Sequence, residues 1–425
     1  MINTPFGDCK TADLHLADGI QPYGVLLAIQ RQTGRIAAVS ANAANWLGQP
    51  PRDLLGQDWR QVLPVEVFGL ANQEEGTAVL PDLGLRSLSL GGQAVIAAVS
   101  LAGDYDLVEL EPGHAPTFGA GSDLLLRGMH QLATAENEQA AAEALMRSVA
   151  RITGYDRVML YQFLPGWHGK VVAEVLKPGV EGFLGLHFPA SDVPANARRL
   201  YVIKRQRLIP DIGAEAVPVL ATTPGLELDL TQSELRAVHP THIQYLRNMG
   251  VEASFSVSVL VGGQLWGLIA CHHLTPKRVS ISMREAAIFL SRLISTRFTA
   301  LEAFAQRNIA DKAFEINTKL LSLLPTVSID TILDSLMPDL QAMMNATGIV
   351  ILVDGGRYCH GELPAAEELD AILACLHQRG GSEVFSTNYF SRDLASEVPV
   401  SPLVAGVLAT PNVTEYENRI VWFRK

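Results

Sequence analysis

Apolar residues along the chain recur with two periods, one close to 2 and one close to 3.6, and the alternation between them marks out its elements. "GVLLAIQ" (24–30) and "RIAAVS" (35–40) are short apolar runs joined by "RQTG", which predicts two strands and a turn. "AVIAAVSLAGDYDLVELEP" (94–112) reads as two more strands about Gly103 and Asp104, and "EPGHAPTFGAGS" (111–122), rich in Gly and Pro, predicts a boundary. Leu124, Leu125, Leu132, Ala141, Leu145 and Val149 then fall on helical spacing, which predicts one helix over about 123–153, closed by Gly154. "RVMLYQF" (157–163) predicts a strand. "SDVPANARRLYVIKRQRL" (191–208) opens like a helix, with Ser191 and Asp192 in the cap region and Pro194 in the first turn. "SFSVSVLVGGQLWGLIACHH" (254–273) predicts a hairpin turning on Gly262 and Gly263.

Between Pro276 and Pro325 there is neither Gly nor Pro, so 282–321 predicts a helix of about 40 residues, ~60 Å long at 1.5 Å per residue. A helix of that length connects domains, pairs with a partner helix, or both. A helical stretch at about 328–346, the strand "GIVILVD" (348–354), an irregular segment and a hairpin from "LVAGVLAT" (403–410) and "NRIVWFR" (418–424) follow. That order repeats the middle of the chain. The fold class expected is α+β, as three consecutive sheet-containing domains over 1–115, 116–300 and 301–425, the last beginning within the long helix.

Composition narrows the partners. Lys and Arg number 33 against 44 Asp and Glu, a net charge of −11, which argues against nucleic acid as a main partner. No apolar run reaches the ~18 residues of a membrane span, and "MINTPFGDCK" lacks a signal-peptide core, so a soluble cytoplasmic protein without a membrane partner is expected. Cys9, Cys271, Cys359 and Cys375 form no CxxC pair, so neither a disulfide framework nor a zinc site is expected.

Four stretches could carry chemistry. In "LIACHH" (268–273) strand alternation sends Cys271 and His273 to one face and His272 to the other, so the three do not meet one metal ion, nor do Cys271 and His272 make a nucleophile and base. A buried small thiol beside an ordinary core or surface histidine accounts for them equally well. Arg198, Arg199, Lys204, Arg205 and Arg207 would give one helix five cations, either a solvated face or a clamp for carboxylates or phosphates. In "RAVHPTHIQYLRNMG" (236–250) a helix from Pro240 puts His242 and Tyr245 on one side, as core residues or as a pocket wall. Cys9, in a polar arm, is either incidental or an accessible thiol able to add to an activated alkene.

Taken together, these stretches resemble the photosensory core of the bacterial phytochromes, from about Cys9 to the end of the chain. "FPASDVPANARRLY" (188–201) is similar to the family's PASDIP region, with Val193 for the usual isoleucine, and "HIQYLRNMGV" (242–251) and "LWGLIACHH" (265–273) match closely. The resemblance implies PAS, GAF and PHY domains joined by a long helix, an N-terminal figure-of-eight knot, and the linear tetrapyrrole biliverdin IXα as chromophore. By resemblance, Cys9 is the thiol that bonds the ring A vinyl group, since Thr241 stands where plant and cyanobacterial relatives keep their cysteine. The carbonyl of Asp192 and the side chain of His242 resemble the polar partners of the pyrrole nitrogens. Arg207 and Arg236 resemble the propionate clamp, helped by Tyr201, Ser254 and Ser256. Met159, Tyr161, Phe188 and Tyr245 resemble the wall around ring D, and His272 the donor to its carbonyl.

Red-light isomerisation next to ring D, passed along the long helix of a homodimer to a histidine kinase or response regulator, is the implied function, without enzymatic activity in this chain. "QPYG" (21–24) departs from the family's QPHG with little expected effect. The family's hairpin tongue and its PRxSF motif, which follow "WFR", are not in this sequence, and a poorly stabilised far-red-absorbing form is therefore expected. The alternative reading is a GAF-type regulatory module for a small anion such as a cyclic nucleotide, served by the same five cations.

Overall fold

Three antiparallel sheets order the chain in the computed structural model, which describes residues 13–16, 18–68, 85–113, 122–379, 383–394, 403–411 and 418–425. The chain divides into two compact units, Met1–Leu301 and Glu302–Lys425. The first unit holds two sheets. One runs in the order Gly19–Ile20, Val217–Ala221, Arg35–Ser40, Val25–Gln30, Tyr105–Pro112, Gln93–Ala102, Leu85–Leu90. The run "VLLAIQ" is apolar throughout because both its faces are covered. Val25, Leu27 and Ile29 pack into one core with Trp59, Val95 and Val108, while Leu26 and Ala28 pack against Leu228, Leu230 and Leu235 on the other side.

The strand Val217–Ala221 therefore joins a sheet built otherwise from the first 112 residues, and its surrounding loop holds the N-terminal segment. Leu230 donates from its backbone to His15 (2.9 Å), Ala237 to Gly19 (3.0 Å), and Gln21 to Leu235 (2.6 Å). These bonds tie His15, Gly19 and Gln21 to the 230–237 segment. The threading of the expected knot involves positions outside the described residues, and so does Cys9.

The second sheet runs Gln206–Ile209, Ala253–Val261, Gln264–His273, Arg157–Phe163, Gly169–Leu176, His187–Phe188. One face is apolar: Leu208, Phe255, Cys271 and Val158 stand side by side across four strands and are buried under the helices Glu138–Thr153 and Ile281–Leu323. The other face carries the polar and aromatic residues of the cleft described below.

Two expectations fail here. The helix of 123–153 is two, Ser122–Ala133 and Glu138–Thr153. Asn137 takes the extended conformation and its side chain accepts from the Ala140 N–H (2.9 Å), an N-cap that restarts the helix. The five cations do not share a helix either. Helix Ala195–Ile203 ends at Lys204, which is extended, and Gln206–Ile209 is a strand, because Leu208 and Ile209 are needed in the apolar interior. Arg207 thus leaves the helix and enters the sheet.

In the second unit, a sheet in the order Gly356–Gly361, Gly348–Val353, Arg419–Arg424, Gly406–Ala409, Phe385–Thr387 is covered on both faces. Ile349, Ile351 and Trp422 meet Leu333 and Met337 of helix Ile329–Met343, and Val350, Val421 and Phe423 meet Leu369, Ile372 and Leu376 of helix Ala366–Gln378. The segment read as irregular therefore contains two strands, Gly356–Gly361 and Phe385–Thr387, and two helices, Ala366–Gln378 and Phe390–Leu394. Helix Ile281–Leu323 has 43 residues, and its deeply buried positions end at Phe298.

Candidate functional site

Cross-strand pairing arranges the polar face of the second sheet in rows. Arg207, Ser256, Ala270 and Met159 form one row across four strands; Ser254, His272 and Arg157 form the next, and Leu268 and Tyr161 a third. Side chains in such rows lie about 4.5–5.5 Å apart at Cβ, so the face is a continuous floor. Over it lie the 187–194 segment and the helices Ala195–Ile203 and Pro240–Asn248. Together they border a cleft whose empty space, counted out into its open mouth, is about 640 Å³.

Ten of the thirteen residues singled out from the sequence line this cleft: Met159, Tyr161, Phe188, Asp192, Tyr201, His242, Tyr245, Ser254, Ser256 and His272. Val193, Leu246, Met249, Leu268 and Ala270 line it too, and were not foreseen. The two arginines stand beside it and Cys9 lies outside the described residues.

Polar groups in the wall are held by few bonds. Tyr201 Oη and Ser256 Oγ are 3.0 Å apart, and Ser258 Oγ donates to the Tyr201 carbonyl. Tyr245 Oη donates to Asp192 Oδ2 at 3.3 Å. The Tyr161 hydroxyl is buried and has no partner among the described residues, and burial with the nearby Asp192 pushes it up to about 12. His239 caps helix Pro240–Asn248 by accepting from the Thr241 N–H, which sets His242 and Tyr245 with rings stacked at 6.1 Å. Burial, then Arg207 and His239, pushes His242 down to about 4, so its imidazole is neutral at pH 7. Gly169 is fixed by the same wall, since a Cβ there would lie 1.7 Å from the Tyr161 ring.

Arg236, 8% exposed, and Arg207, partly buried, are cations with no carboxylate within ion-pair distance among the described residues. Arg207 Nη2 donates to the carbonyls of Arg236 (2.5 Å) and Ala237 (3.0 Å), and its Nη1 has no acceptor. Arg236 Nη1 donates to the Leu14 carbonyl (2.7 Å), and its Nε has no acceptor among the described residues. Burial and then Arg207 push Arg236 down to about 9. The five-cation helix expected to serve a nucleotide module is thus replaced by two adjacent guanidiniums, drawn from a strand and a loop. Cys271 faces away from the cleft into the core, where burial pushes its thiol up, and it does not act with His272. No group of three metal-ligating side chains occurs among the described residues.

Behind Arg207 lies a buried ionic network. Arg284, from the long helix and wholly buried, donates to Glu111 (2.6 Å) and lies 3.6 Å from Glu234. Lys204 and Gln206 each reach Glu234 at 2.7 Å. Glu109 accepts from Ser233 Oγ (2.5 Å) and from the backbone N–H of Glu234 and Leu235. Nothing in the local sequence marks Arg284 as buried, and it was missed.

Family models match three consecutive parts of the chain: a PAS fold over residues 9–113, a GAF domain over 137–298 and the phytochrome region over 315–425. A bacteriophytochrome of Xanthomonas campestris is 33% identical over 445 residues, covering 98% of this chain and 68% of its own. Cyanobacterial phytochrome B of Nostoc sp. is 30% identical over 439 residues, covering 100% of this chain, which spans 58% of that relative's length. The crystal structure of the bacteriophytochrome RpBphP3 from the photosynthetic bacterium R. palustris superposes with a TM-score of 0.81 at 31% identity, over 96% of this chain and 84% of that one. With three domain matches in this order and likeness along nearly its whole length, the chain belongs to the phytochrome family, as a PAS, GAF and PHY photosensory core.

Proposed function

We propose that this chain is the light-sensing part of a red/far-red photoreceptor that carries biliverdin IXα, bonded covalently through Cys9. The observation that carries the reading is a pair of guanidiniums, Arg236 buried and Arg207 partly buried, with no carboxylate at ion-pair distance among the described residues, beside a cleft lined with aromatic and apolar side chains. Two like charges buried together are unfavourable unless anions join them. Biliverdin has two carboxylates at one edge and is apolar over most of its area, so the charges and the lining both suit it. Arg207 Nη1, Arg236 Nε and the Tyr161 hydroxyl have no partner among the described residues and are polar atoms a ligand could meet.

When bound, biliverdin supplies the absorption of red light and the isomerisable double bond next to ring D. The chain supplies the surroundings. Arg207 and Arg236 hold the carboxylates, with Tyr201, Ser254 and Ser256 as hydroxyl donors. Neutral His242 and the Asp192 carbonyl serve the central nitrogens. Met159, Tyr161, Phe188 and Tyr245 exclude water around ring D, and His272 offers it a hydrogen bond. Tyr245 and Asp192 share a hydrogen bond that the cleft leaves open to exchange, which suits a local switch acting on a larger bistable element.

The long helix, with Phe304 63% and Phe314 73% exposed, supports a homodimer. A histidine kinase or response regulator as the downstream partner, and a cytoplasmic location, complete the reading; no described helix is long and apolar enough to cross a membrane. Enzymatic activity is not part of the proposal.

The test is to mix the purified chain with biliverdin, record the visible spectrum, and denature. A strong red band is expected, with colour that stays on the denatured wild type and is lost from denatured Cys9→Ala. No red band would overturn the photoreceptor reading and return attention to nucleotide ligands.

A further inference from the structure

His272 is a neighbour of Arg157, directly opposite it on the adjoining strand. Arg157 is 3% exposed and comes from Arg157–Phe163, on the same face as Met159 and Tyr161. Its Nη1 lies 3.5 Å from His272 Nδ1, the only hydrogen bond of that guanidinium among the described residues. The rest of the group is fixed by an aromatic ring: its centre lies 3.8 Å from the centroid of Phe183. Phe183 is itself pinned, because Glu174 accepts from its backbone N–H (2.9 and 3.0 Å) and from that of Leu184 (3.1 Å).

A guanidinium has donors and no acceptor, and stays charged at any ordinary pH. The nitrogen facing it must therefore present a lone pair. The geometry points to Arg157 as a positioning residue that fixes the tautomer of His272, with Nδ1 bare and the proton on Nε2, so that the cleft meets a hydrogen-bond donor there. The acceptor that suits this donor is a carbonyl oxygen at that end of the ligand. Burial, and then the Arg157 charge and His242, also push His272 down to about 3, which keeps a second proton off the ring. Arg157 acts through His272 and does not itself line the cleft. Glu174 and Phe183 extend the same support outward, and none of the three was marked by the sequence motifs.

What Nε2 meets rests on the bilin reading, but the tautomer does not, so it is tested on the ligand-free chain. With histidine labelled by ¹⁵N, the His272 signals are assigned by their loss in His272→Gln. At neutral pH the wild type should show a pyridine-type Nδ1 and a pyrrole-type Nε2. In Arg157→Met the two tautomers should mix, and the ring should protonate at a higher pH than in the wild type. A wild-type ring protonated on Nδ1, or on both nitrogens, would overturn the inference without help from any variant. So would a folded Arg157→Met, checked by an otherwise unchanged spectrum, in which the Nε2–H tautomer persists undiminished. Failure of biliverdin to bind would bear on the photoreceptor reading alone.

Discussion

Replacing Arg284 by methionine is expected to cost about 3–5 kcal/mol of folding stability near neutral pH, the scale for breaking a buried ion pair from one side. The side chain is fully buried, and methionine keeps most of its apolar stem, so the loss is chiefly electrostatic. Glu111 loses its 2.6 Å partner and Glu234 one of its two cations. The sign of the pH dependence follows from Glu234. Burial alone would raise it, but Lys204 and then Arg284 hold it below its ordinary 4.5. Its contribution is therefore fully present above that value and lost as the pH falls through the lowered one. In the variant this advantage is already reduced, so the deficit should be full at neutral pH and shrink as the pH falls below the ordinary 4.5. Urea denaturation across that range measures it, and Glu111→Gln added to Arg284→Met should recover part of the loss. A deficit below about 1 kcal/mol near neutrality, or one that does not change with pH, would assign the network no such weight. Because Arg284 starts the long helix and Lys204 ends the helix that roofs the cleft, the same network ties the site to that helix.

How much of this could be read from the sequence depends on whether the relevant spacing is local. Alternation along 254–273 separates Cys271 from His272 correctly, because strand geometry needs only neighbours. The unbroken run after Pro276 gives the long helix for the same reason. The break at 134–137 is harder, since Asn137 fits a helix by periodicity and ends one only through its capping geometry. The five cations of 198–207 failed because periodicity cannot see that Leu208 and Ile209 are wanted by a distant sheet. The cleft residues were collected through resemblance, and their meeting on one floor depends on registers between strands about a hundred residues apart. Arg157 shows the limit and the missed signal. Period-2 alternation with Met159 and Tyr161 would have put it on the cleft face, but its contact with His272 joins positions 115 apart. Arg284 carries no such signal, since a cation on an amphipathic helix reads as exposed.

Arg236→Gln should weaken biliverdin binding while leaving the ligand-free chain at least as stable as before. Affinity is an equilibrium quantity only without the covalent bond, so the comparison belongs in a Cys9→Ala background. There, removing one member of a buried charge pair should cost ~2–5 kcal/mol, about 30- to 4,000-fold in Kd. The ligand-free chain gains in the opposite direction, because burial and then Arg207 work against the Arg236 charge, while Asp229 and Glu234 act on it only from beyond ion-pair distance. The side-chain bond Arg236 makes among the described residues, to the Leu14 carbonyl, is worth only about 1 kcal/mol. Arg207→Gln should lose affinity to a similar degree, but it takes the guanidinium donor from the Ala237 carbonyl and leaves that of Arg236 only the 3.4 Å bond from Gln21, so its ligand-free form should not gain. Biliverdin with both propionates esterified separates charge from shape. The wild-type site should bind the diester far more weakly than the diacid, and Arg236→Gln should discriminate less between the two. Equal affinity of the wild-type site for diacid and diester would show that the guanidiniums do not hold the carboxylates, however well the remainder of the cleft fits the ring system.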